Sequence, residues 1–559
     1  MNYSGTRQQL RRRERSKNRH HKKVFHISVK EGLNKNKLST IKAMFNEIKQ
    51  INTKSVWMPK TARRLTIAQM KKVIRCSFFM KEKYNLDGTF NKIKGRLVAG
   101  GNQQIRLASE DTSSPTAHLQ SIFMVAAIAA KENRKVATVD IAGAYLNADI
   151  GDEEVLMKLD PLIAMILCKI DGKYTLFLND DGTMIVQLKK ALYGCIQSAM
   201  QWYKNIKSTL EHHGFITNPI DPCIFNLEGQ NQCTIVLYVD DLMITCKDEE
   251  VINKVIIMLE NKYKDLTKHF GEHHDYLGCR FDFTKQGKVI ITMKKYIEDI
   301  IKFYGVNKKA TTPATVNILN IDKGIPLSNE HAERFHSAVA RLLYLSKRVR
   351  PDIQFAVTFL CTRVSAPTDY DEMKLVRILQ YLNNDHDIGL TLEMNDKPLV
   401  TAFIDAAYGI HADAKGHTGM AITIGKGTVN AKSTKQKLVS KSSSEAELIA
   451  LSDSTSQVIW TRDFLIHQGY EMGAADIMQD NKSTIMLAEK GRSTSEKTRH
   501  INIRYFFVKD RINSKEIQLN YLSTNEMIAD ILTKPLQGAQ FIKMRNILLN
   551  YIPMLINSS

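Results

Sequence analysis

The ten residues from Ile235 to Ile244 constrain the fold of this chain most strongly, since two apolar β-type runs meet there at a pair of aspartates. Such runs on both sides of a short polar turn predict a tight hairpin with a buried body and with Asp240 and Asp241 at its tip. Two carboxylates about 4 Å apart repel by roughly 4 kcal/mol at an effective dielectric of about 20, so the pair favours a nearby divalent cation such as Mg²⁺. The alternative is a plain polar turn, because aspartate is a common turn residue.

A third aspartate, Asp140, follows a short predicted strand from Lys135 to Val139. If this strand and the Asp240–Asp241 hairpin are neighbours in one sheet, three carboxylates meet at a single point. They could then hold two Mg²⁺ ions in the arrangement that clamps the attacking and leaving oxygens of an in-line phosphoryl displacement. The pattern therefore predicts phosphoryl transfer at this point of the sheet.

Length and charge limit the class of protein further. At 559 residues the chain should hold several domains, and its 43% hydrophobic and 25% charged residues are typical of globular protein. Its 79 Lys and Arg against 58 Asp and Glu give a net charge of +21, which predicts a polyanionic partner such as nucleic acid. A solvated basic surface without a partner is the alternative.

Two features indicate a soluble intracellular protein. The eight cysteines form no CxxC pair and show no zinc spacing, which is typical of reduced thiols. No apolar run reaches the roughly 18 residues that a membrane span needs, so we expect no membrane partner.

Residues 1–50 open with a basic block that contains a single acidic residue, Glu14. Such a block is typical of a disordered, solvated arm, and nucleic-acid binding or nuclear import is the sharper alternative. The basic residues are Arg7, Arg11, Arg12, Arg13, Arg15, Lys17, Arg19, Lys22 and Lys23.

Three ordered motifs make the chain recognisable: Val139 to Tyr145, Leu188 to Gly194, and Tyr238 to Asp241. In order and spacing they strongly resemble the reverse transcriptase motifs of copia-type (Pseudoviridae) LTR retrotransposon polyproteins. Weaker likenesses extend the resemblance from about residue 57 to 540. They are Arg96 to Ala99 for the fingers, Tyr276 to Gly278 for the primer side, and Leu342 to Leu345 with Arg350 to Ile353 for the connection.

The resemblance implies that Asp140, Asp240 and Asp241 form the polymerase metal site. Tyr145 matches the aromatic residue that excludes a 2′-hydroxyl, the group that distinguishes RNA from DNA, and a core tyrosine is its alternative. Arg96, with Lys94, would meet the triphosphate, unless both are only exposed strand charges.

Gly194 and Gln197 match the segment that lines the nucleotide pocket. There the chain departs from the family pattern, since Gln197 is followed by Ser198, Ala199 and Met200 in place of a Gln-Ala-Pro-Arg-like run. This departure affects the expected shape of the pocket.

The last part of the chain reads strand, two glycine-marked strands, acidic helix, strand and helix, an order that resembles the RNase H fold. The resemblance implies a second metal site made by Asp405, Glu447, Asp480 and Asp530. Asp405 and Asp480 are expected where strands end, and Asp530 could alternatively be a surface residue.

Glu447 has two alternatives. Ser444 to Glu447 also fits a capping box, in which Glu447 would close a helix N-terminus. Glu445 is the competing acidic residue, but Glu447 matches the family's Ala-Glu-Leu pattern better.

His500 matches the first histidine of a copia-type His-Ile-Asp…His-Phe run, but Asn502 and Phe506 replace the later Asp and His. We expect His500 to assist near the scissile phosphate or to be structural.

The expected fold class is α/β (α+β), a right-hand polymerase of fingers, palm and thumb followed by a connection and an RNase H-like domain. The expected parts are a basic arm (1–50), fingers and palm (51–284), thumb (285–330), connection (331–395), RNase H-like domain (396–535) and C-terminal tail (536–559).

The expected function is RNA-directed DNA synthesis with RNase H activity, using Mg²⁺ or Mn²⁺. The expected partners are an RNA template, a DNA primer and product, an RNA:DNA hybrid and deoxynucleoside triphosphates. A catalytically inactive nucleic-acid-binding relic is the alternative, and survival of the nuclease alone is a third.

No protease or integrase core is apparent, so we expect the chain to be the C-terminal portion of a larger polyprotein. We expect it in the cytoplasm, in a virus-like particle, or in the nucleus.

Overall fold

The structure is a computed structural model that describes residues 26–84, 90–105, 113–321, 323–491 and 502–552. It divides into two compact units. The first comprises Met1–Pro115 and Ala142–Thr209, and the second comprises Thr116–Ile141 and Leu210–Ser559. The predicted fingers-and-palm segment therefore contributes to both units, and the predicted functional boundaries stay predictions.

The first unit contains a six-stranded mixed sheet. A helix predicted from the apolar spacing between Leu38 and Ile51 is confirmed as Lys37–Thr53, and it begins where the Asn36 side chain accepts a hydrogen bond from the Ser39 N–H. The path of the sheet is His26–Ser28, Ile74–Tyr84, Leu156–Leu159, Met184–Leu188 and Trp57–Lys60, with Phe90–Ala99 also paired to Ile74–Tyr84. The other α-helices of the unit are Val29–Lys35, Ile67–Lys71 and Pro161–Ile170.

The Ser198–His212 helix begins in the first unit and ends in the second.

The first sheet of the second unit is antiparallel and carries the Asp240–Asp241 hairpin. Its strand order is Leu266–Phe270, Lys135–Ile141, Asp241–Cys246, Cys233–Tyr238, Ile224–Leu227 and Ile216–Thr217. The body of the hairpin is buried, as the sequence predicts. Two predicted helices are confirmed as Leu119–Lys131 and Glu249–Tyr263, and the Asp248 side chain caps the second.

A second antiparallel sheet follows, with the order His273–Tyr276, Cys279–Asp282, Lys288–Thr292, Leu390–Met394 and Gly425–Lys426. The sequence predicts that Tyr276, Leu277 and Gly278 lie on a strand, but the strand ends at Tyr276, so this prediction is wrong for the two later residues. Leu277 and Gly278 have φ values of 51° and 77°, so they make the turn between the first two strands.

Helices occupy most of the stretch between Ala332 and Leu382, as predicted. A buried charge pair stands between two of them, Arg350 with Asp352, whose closest nitrogen–oxygen distance is 2.8 Å. The helices here are Lys294–Tyr304, Asn329–Ser346, Gln354–Cys361 and Asp369–Asn384, and Gly538–Leu549 comes later in the chain.

The last sheet has the order Asn430–Lys435, His417–Thr423, Thr401–Ala407, Ala475–Gln479 and Ile517–Tyr521. The first three strands are antiparallel and the last two add in parallel. The α-helices are Ser443–Ile466, Lys482–Lys490 and Asn502–Asn513. The sequence predicted the elements up to Lys482 but missed the third helix and the fifth strand.

The mixed α/β fold class is confirmed, with an RNase H-like order of strands in the last part of the chain. Among the described helices, none is both long and apolar enough to cross a membrane. All eight cysteines are free thiols.

Candidate active sites

The Asp240–Asp241 hairpin has a two-residue turn. Tyr238 is paired with Asp241, so Val239 and Asp240 alone connect the two strands. Val239 has a φ of 59°, a conformation that a β-branched residue adopts only under strain. The turn is held because the Ile141 N–H donates a hydrogen bond to the Asp240 carbonyl oxygen at 3.0 Å.

Asp140 lies directly opposite Asp241, since the strands Lys135–Ile141 and Asp241–Cys246 are antiparallel neighbours in this register. The Asp140 side chain is exposed, and those of Asp240 and Asp241 are half-buried. Burial, the nearby Asp240 and Asp140 carboxylates and a hydrogen bond with Asp140 together raise the pKa of Asp241 to about 6, and burial is the largest of these causes. The structure thus gathers the three predicted carboxylates at one end of two strands, where negative charge is poorly compensated.

Tyr276 supports this arrangement from within the core. Its buried hydroxyl donates to the carbonyl oxygens of Asp241 at 3.3 Å and Val236 at 3.4 Å. The sequence placed Tyr276 in a primer-side motif, and the structure shows it contacting the backbone of the acidic hairpin.

In the first unit, two of the predicted nucleotide-binding residues meet a third side chain. The Arg96 guanidinium lies 4.0 Å from the centroid of the Tyr193 ring, and the Tyr145 ring lies 4.8 Å from the same ring. Arg96 and Lys94 are exposed on their strand, and Tyr145 is half-buried. Tyr193 belongs to one of the three ordered motifs, but no local pattern singles out its ring.

Only glycine fits at position 194, because the backbone there approaches the backbone of Ala99 closely. It has a φ of 93°, and a Cβ there would lie 2.2 Å from the Ala99 carbonyl oxygen. Gln197 Oε1 accepts a hydrogen bond from Gln104 Nε2 at 3.1 Å. Within the described residues, the buried Nε2 of Gln197 has no hydrogen-bond partner.

The last sheet positions a second acidic cluster, in which one carboxylate oxygen each from Asp405, Glu447 and Asp480 lies within 4.8 Å of the others. Glu447 comes from the Ser443–Ile466 helix and Asp480 directly follows the Ala475–Gln479 strand. Asp405 is inside the strand Thr401–Ala407, so its expected place at the strand end is wrong by two residues.

Asp530 and two residues that follow it in the chain, Thr533 and Lys534, also contact this cluster. Lys534 Nζ lies 2.6 Å from Asp530 Oδ1 and 3.6 Å from Asp405 Oδ2, and the Thr533 hydroxyl donates to Asp405. Asp530 is buried in the short 3₁₀ helix Ile528–Leu532, so it is not a surface residue. The sequence analysis quoted Thr533 and Lys534 within a motif without assigning either a role, since their contact with Asp405 is a tertiary one.

Burial dominates the electrostatics of the cluster. Burial and, next in size, the neighbouring Asp405 carboxylate raise the pKa of Glu447 to about 9 and that of Asp530 to about 6. Burial also raises the pKa of Asp405, although Lys534 and Thr533 oppose the shift.

The capping alternative for Glu447 is wrong. The helix begins after Ser442, whose hydroxyl accepts a hydrogen bond from the Glu445 N–H at 3.2 Å. The Glu445 carboxylate in turn accepts from the Lys441 N–H at 2.6 Å. Glu445 therefore stabilises the helix N-terminus, and Glu447 faces the other carboxylates one turn further on.

Both acidic sets suit divalent cations. Carboxylate oxygens are hard ligands of the kind that Mg²⁺ prefers. The raised pKa values of Asp241 and Glu447 indicate that their negative charges are poorly stabilised without a cation. His500 lies outside the described residues. Phe506, which replaces the family's second histidine, is exposed.

Comparisons with known proteins identify a matching family model and similar retrotransposon proteins. Residues 60–318 match the family model described as "Reverse transcriptase (RNA-dependent DNA polymerase)". The Pol polyprotein of transposon RE1 from Arabidopsis thaliana is 29% identical over 476 residues, covering 84% of this chain and 31% of that protein. The Pol polyprotein of transposon TNT 1-94 from Nicotiana tabacum is 27% identical over 529 residues, covering 92% and 38%.

A solved structure, the foamy viral protease-reverse transcriptase dRH in complex with double-stranded DNA, matches with a TM-score of 0.49 and 12% identity, covering 86% of this chain and 69% of that one. The chain spans about a third of the length of the curated relatives that it matches. Residues 60–318 thus match the reverse transcriptase family model, and the chain as a whole is similar in sequence to retrotransposon Pol polyproteins.

Proposed function

We propose that this chain is an RNA-directed DNA polymerase that also cleaves the RNA strand of an RNA:DNA hybrid. The observation that carries the proposal is the register of Asp140 opposite Asp241, with Asp240 in the adjoining turn. Three carboxylates at one end of two neighbouring strands suit a phosphoryl-transfer site that uses divalent cations.

In the polymerase site, Asp140, Asp240 and Asp241 would hold Mg²⁺, which when bound supplies charge neutralisation at the phosphates and lowers the pKa of the attacking hydroxyl. The chain's own contribution is positional. The strained Val239 turn and the Tyr276 hydroxyl fix the backbone that carries Asp240 and Asp241. A preset arrangement costs no reorganisation when the substrate arrives.

We assign nucleotide selection to the first unit. Arg96 would bind the triphosphate, and its stacking on Tyr193 restrains the guanidinium in one orientation. Tyr145, whose ring packs against the same Tyr193 ring, would exclude a 2′-hydroxyl. The unpartnered amide nitrogen of Gln197 offers a donor to the same pocket.

In the nuclease site, Asp405, Glu447, Asp480 and Asp530 would hold the divalent cations. The raised pKa of Glu447, about 9, means that this carboxyl holds a proton at neutral pH until a cation arrives. Gln479 Nε2 donates to Glu447 at 3.3 Å and orients it toward the cluster.

The full chain with an RNA template, a DNA primer, deoxynucleoside triphosphates and Mg²⁺ tests the proposal. We expect extension of oligo(dT) on poly(rA) and cleavage of a labelled hybrid, both lost in EDTA. Asp240→Asn should abolish extension and spare cleavage, and Asp480→Asn should do the reverse. The exposed Asp265 and Glu471 provide matched controls as Asp265→Asn and Glu471→Gln.

Two outcomes would favour the alternatives. A wild-type chain that binds hybrid but shows neither activity would be a catalytically inactive nucleic-acid-binding relic. A chain with cleavage alone would retain only the nuclease. If either aspartate variant loses neither activity, the site assignment is wrong.

A further inference from the structure

Lys534 is the one residue of positive charge that contacts the acidic cluster of the last domain in the described part of the chain. Its Nζ lies 2.6 Å from Asp530 Oδ1 and 3.6 Å from Asp405 Oδ2. The two carboxylates retain only 7% and 2% of their side-chain exposure, so water screens them poorly. An ammonium group therefore occupies the space between two groups that would bind a cation.

The local backbone directs Lys534 to this place. The Lys534 N–H donates to the Asp530 carbonyl oxygen at 2.9 Å, which closes one turn and brings the two side chains to the same face. The neighbouring Thr533 hydroxyl donates to Asp405. Two consecutive residues thus contact Asp405 from a segment that is distant in sequence.

The Lys534 ammonium is bound by two carboxylates but remains accessible to solvent. Lys534 Nζ lies beside the carboxylates of Asp405 and Asp530, and two neighbouring carboxylates favour the charged ammonium form. Its side chain keeps 38% of its exposure, so a long flexible stem can carry the charge out to solvent. A divalent cation that takes the same carboxylate oxygens must displace or repel this charge.

We propose that Lys534 is an internal counterion of the nuclease site, a positioning residue that holds Asp405 and Asp530 together before metal binding and competes with the cation for their oxygens. This inference rests on the proposed metal site. It gives Lys534 two effects of opposite sign: it stabilises the metal-free fold and weakens metal binding.

A charge count indicates what the displaced ammonium can do next. Two divalent cations balance four carboxylates, which leaves the single negative charge of a phosphodiester uncompensated. Lys534, released at the edge of the site, can supply the positive charge that compensates this phosphodiester of the bound RNA strand. Its competition with metal and its contribution to hybrid binding are therefore successive uses of one group.

The test uses the full chain with Asp140→Asn and Asp241→Asn, so that only the last domain binds metal. Mn²⁺ binding is measured by calorimetry, and thermal unfolding is measured in EDTA. In this background we expect Lys534→Gln to tighten Mn²⁺ binding by about threefold or more, because a unit charge roughly 4 Å away has been removed. The same variant should lower the melting temperature of the metal-free chain by about 2 °C or more.

Matched variants separate this effect from general electrostatics. Lys437 is exposed on the same domain, and Lys437→Gln makes the same change of net charge. It should alter neither measurement, and Lys534→Arg, which keeps the charge, should stay close to the parent.

Unchanged or weaker Mn²⁺ binding by Lys534→Gln would overturn the inference alone. Absence of Mn²⁺ binding by the parent chain would overturn the proposed nuclease site and the inference with it. An equal response of Lys437→Gln would show that net charge, not position, is responsible, and would also overturn it.

Discussion

Asp140 and Asp241 face each other across two antiparallel strands although they are far apart in the chain. Because burial, Asp240 and Asp140 raise the pKa of Asp241 to about 6, a proton and a cation compete for the same carboxylate. We expect the affinity of the palm site for Mn²⁺ to fall as the pH is lowered from about 7 to about 5, and binding near pH 6 to release a proton.

Calorimetry in buffers of different ionisation enthalpy measures this proton release. The Asp405→Asn background keeps the second acidic cluster from contributing, and Asp241→Asn should remove the pH dependence together with most of the binding. A Mn²⁺ affinity that is constant over this pH range would contradict the prediction.

The buried pair Arg350 and Asp352 should be a major determinant of stability. Tyr381 Oη also donates to Asp352 Oδ2 at 2.5 Å, and Arg350 Nη1 donates to the Asp385 carbonyl oxygen at 2.8 Å. Asp352→Asn leaves a buried guanidinium without its counterion, which should cost about 3–5 kcal/mol in the free energy of unfolding. Pulse proteolysis in urea measures the loss.

The exposed pair Arg280 and Asp275, separated by 3.6 Å, is the matched control. Asp275→Asn should change the stability by less than about 1 kcal/mol. Comparable losses in the two variants would show that burial does not govern the Arg350 pair.

Gly194 should tolerate no side chain. Gly194→Ala would place a Cβ 2.2 Å from the Ala99 carbonyl oxygen at a φ of 93°, so the segment must move away from its neighbouring strand. We expect a destabilisation of about 2 kcal/mol or more and a raised KM for deoxynucleotides. Gly172→Ala, where no atom lies within 4 Å of the added Cβ, should behave as wild type in both thermal unfolding and primer extension.

His417 should make the last domain sensitive to acid. Burial and, to a smaller extent, His411 together lower the pKa of His417 to about 3, and His411 Nε2 lies 3.0 Å from His417 Nδ1. The unfolded chain protonates this histidine near pH 6.5 whereas the folded chain does not, so the unfolded state binds more protons. Stability therefore falls as the pH drops below about 6.5, by at most about 1.4 kcal/mol per pH unit from this group.

Urea unfolding of the last sheet at several pH values between about 7 and 5 measures how steeply the free energy of unfolding depends on pH. His417→Gln, whose amide can still meet the Ser433 hydroxyl, should flatten it. His212→Gln at an exposed position should leave the slope unchanged. If His417→Gln keeps the full slope, another group is responsible.

Much of the local structure could be predicted because its causes are local. Asp248 begins a helix with the expected amphipathic spacing, and the predicted helix from Ser444 begins at Ser443. The sequence left open which of Glu445 and Glu447 is the metal ligand, since Glu447 also fits a cap with Ser444 by spacing. The structure decides it, because the N-cap is Ser442 and the cap therefore uses Glu445.

The sequence by itself determined which carboxylates follow or occupy strands and helices, because periodicity, caps and turns depend on residues within a few positions of one another. Only the tertiary structure decided that Asp140 faces Asp241, that the Tyr193 ring contacts both Arg96 and Tyr145, and that Lys534 enters the cluster around Asp405. Strand register, burial and charge compensation arise from contacts between residues distant in the chain, and no local pattern encodes those contacts.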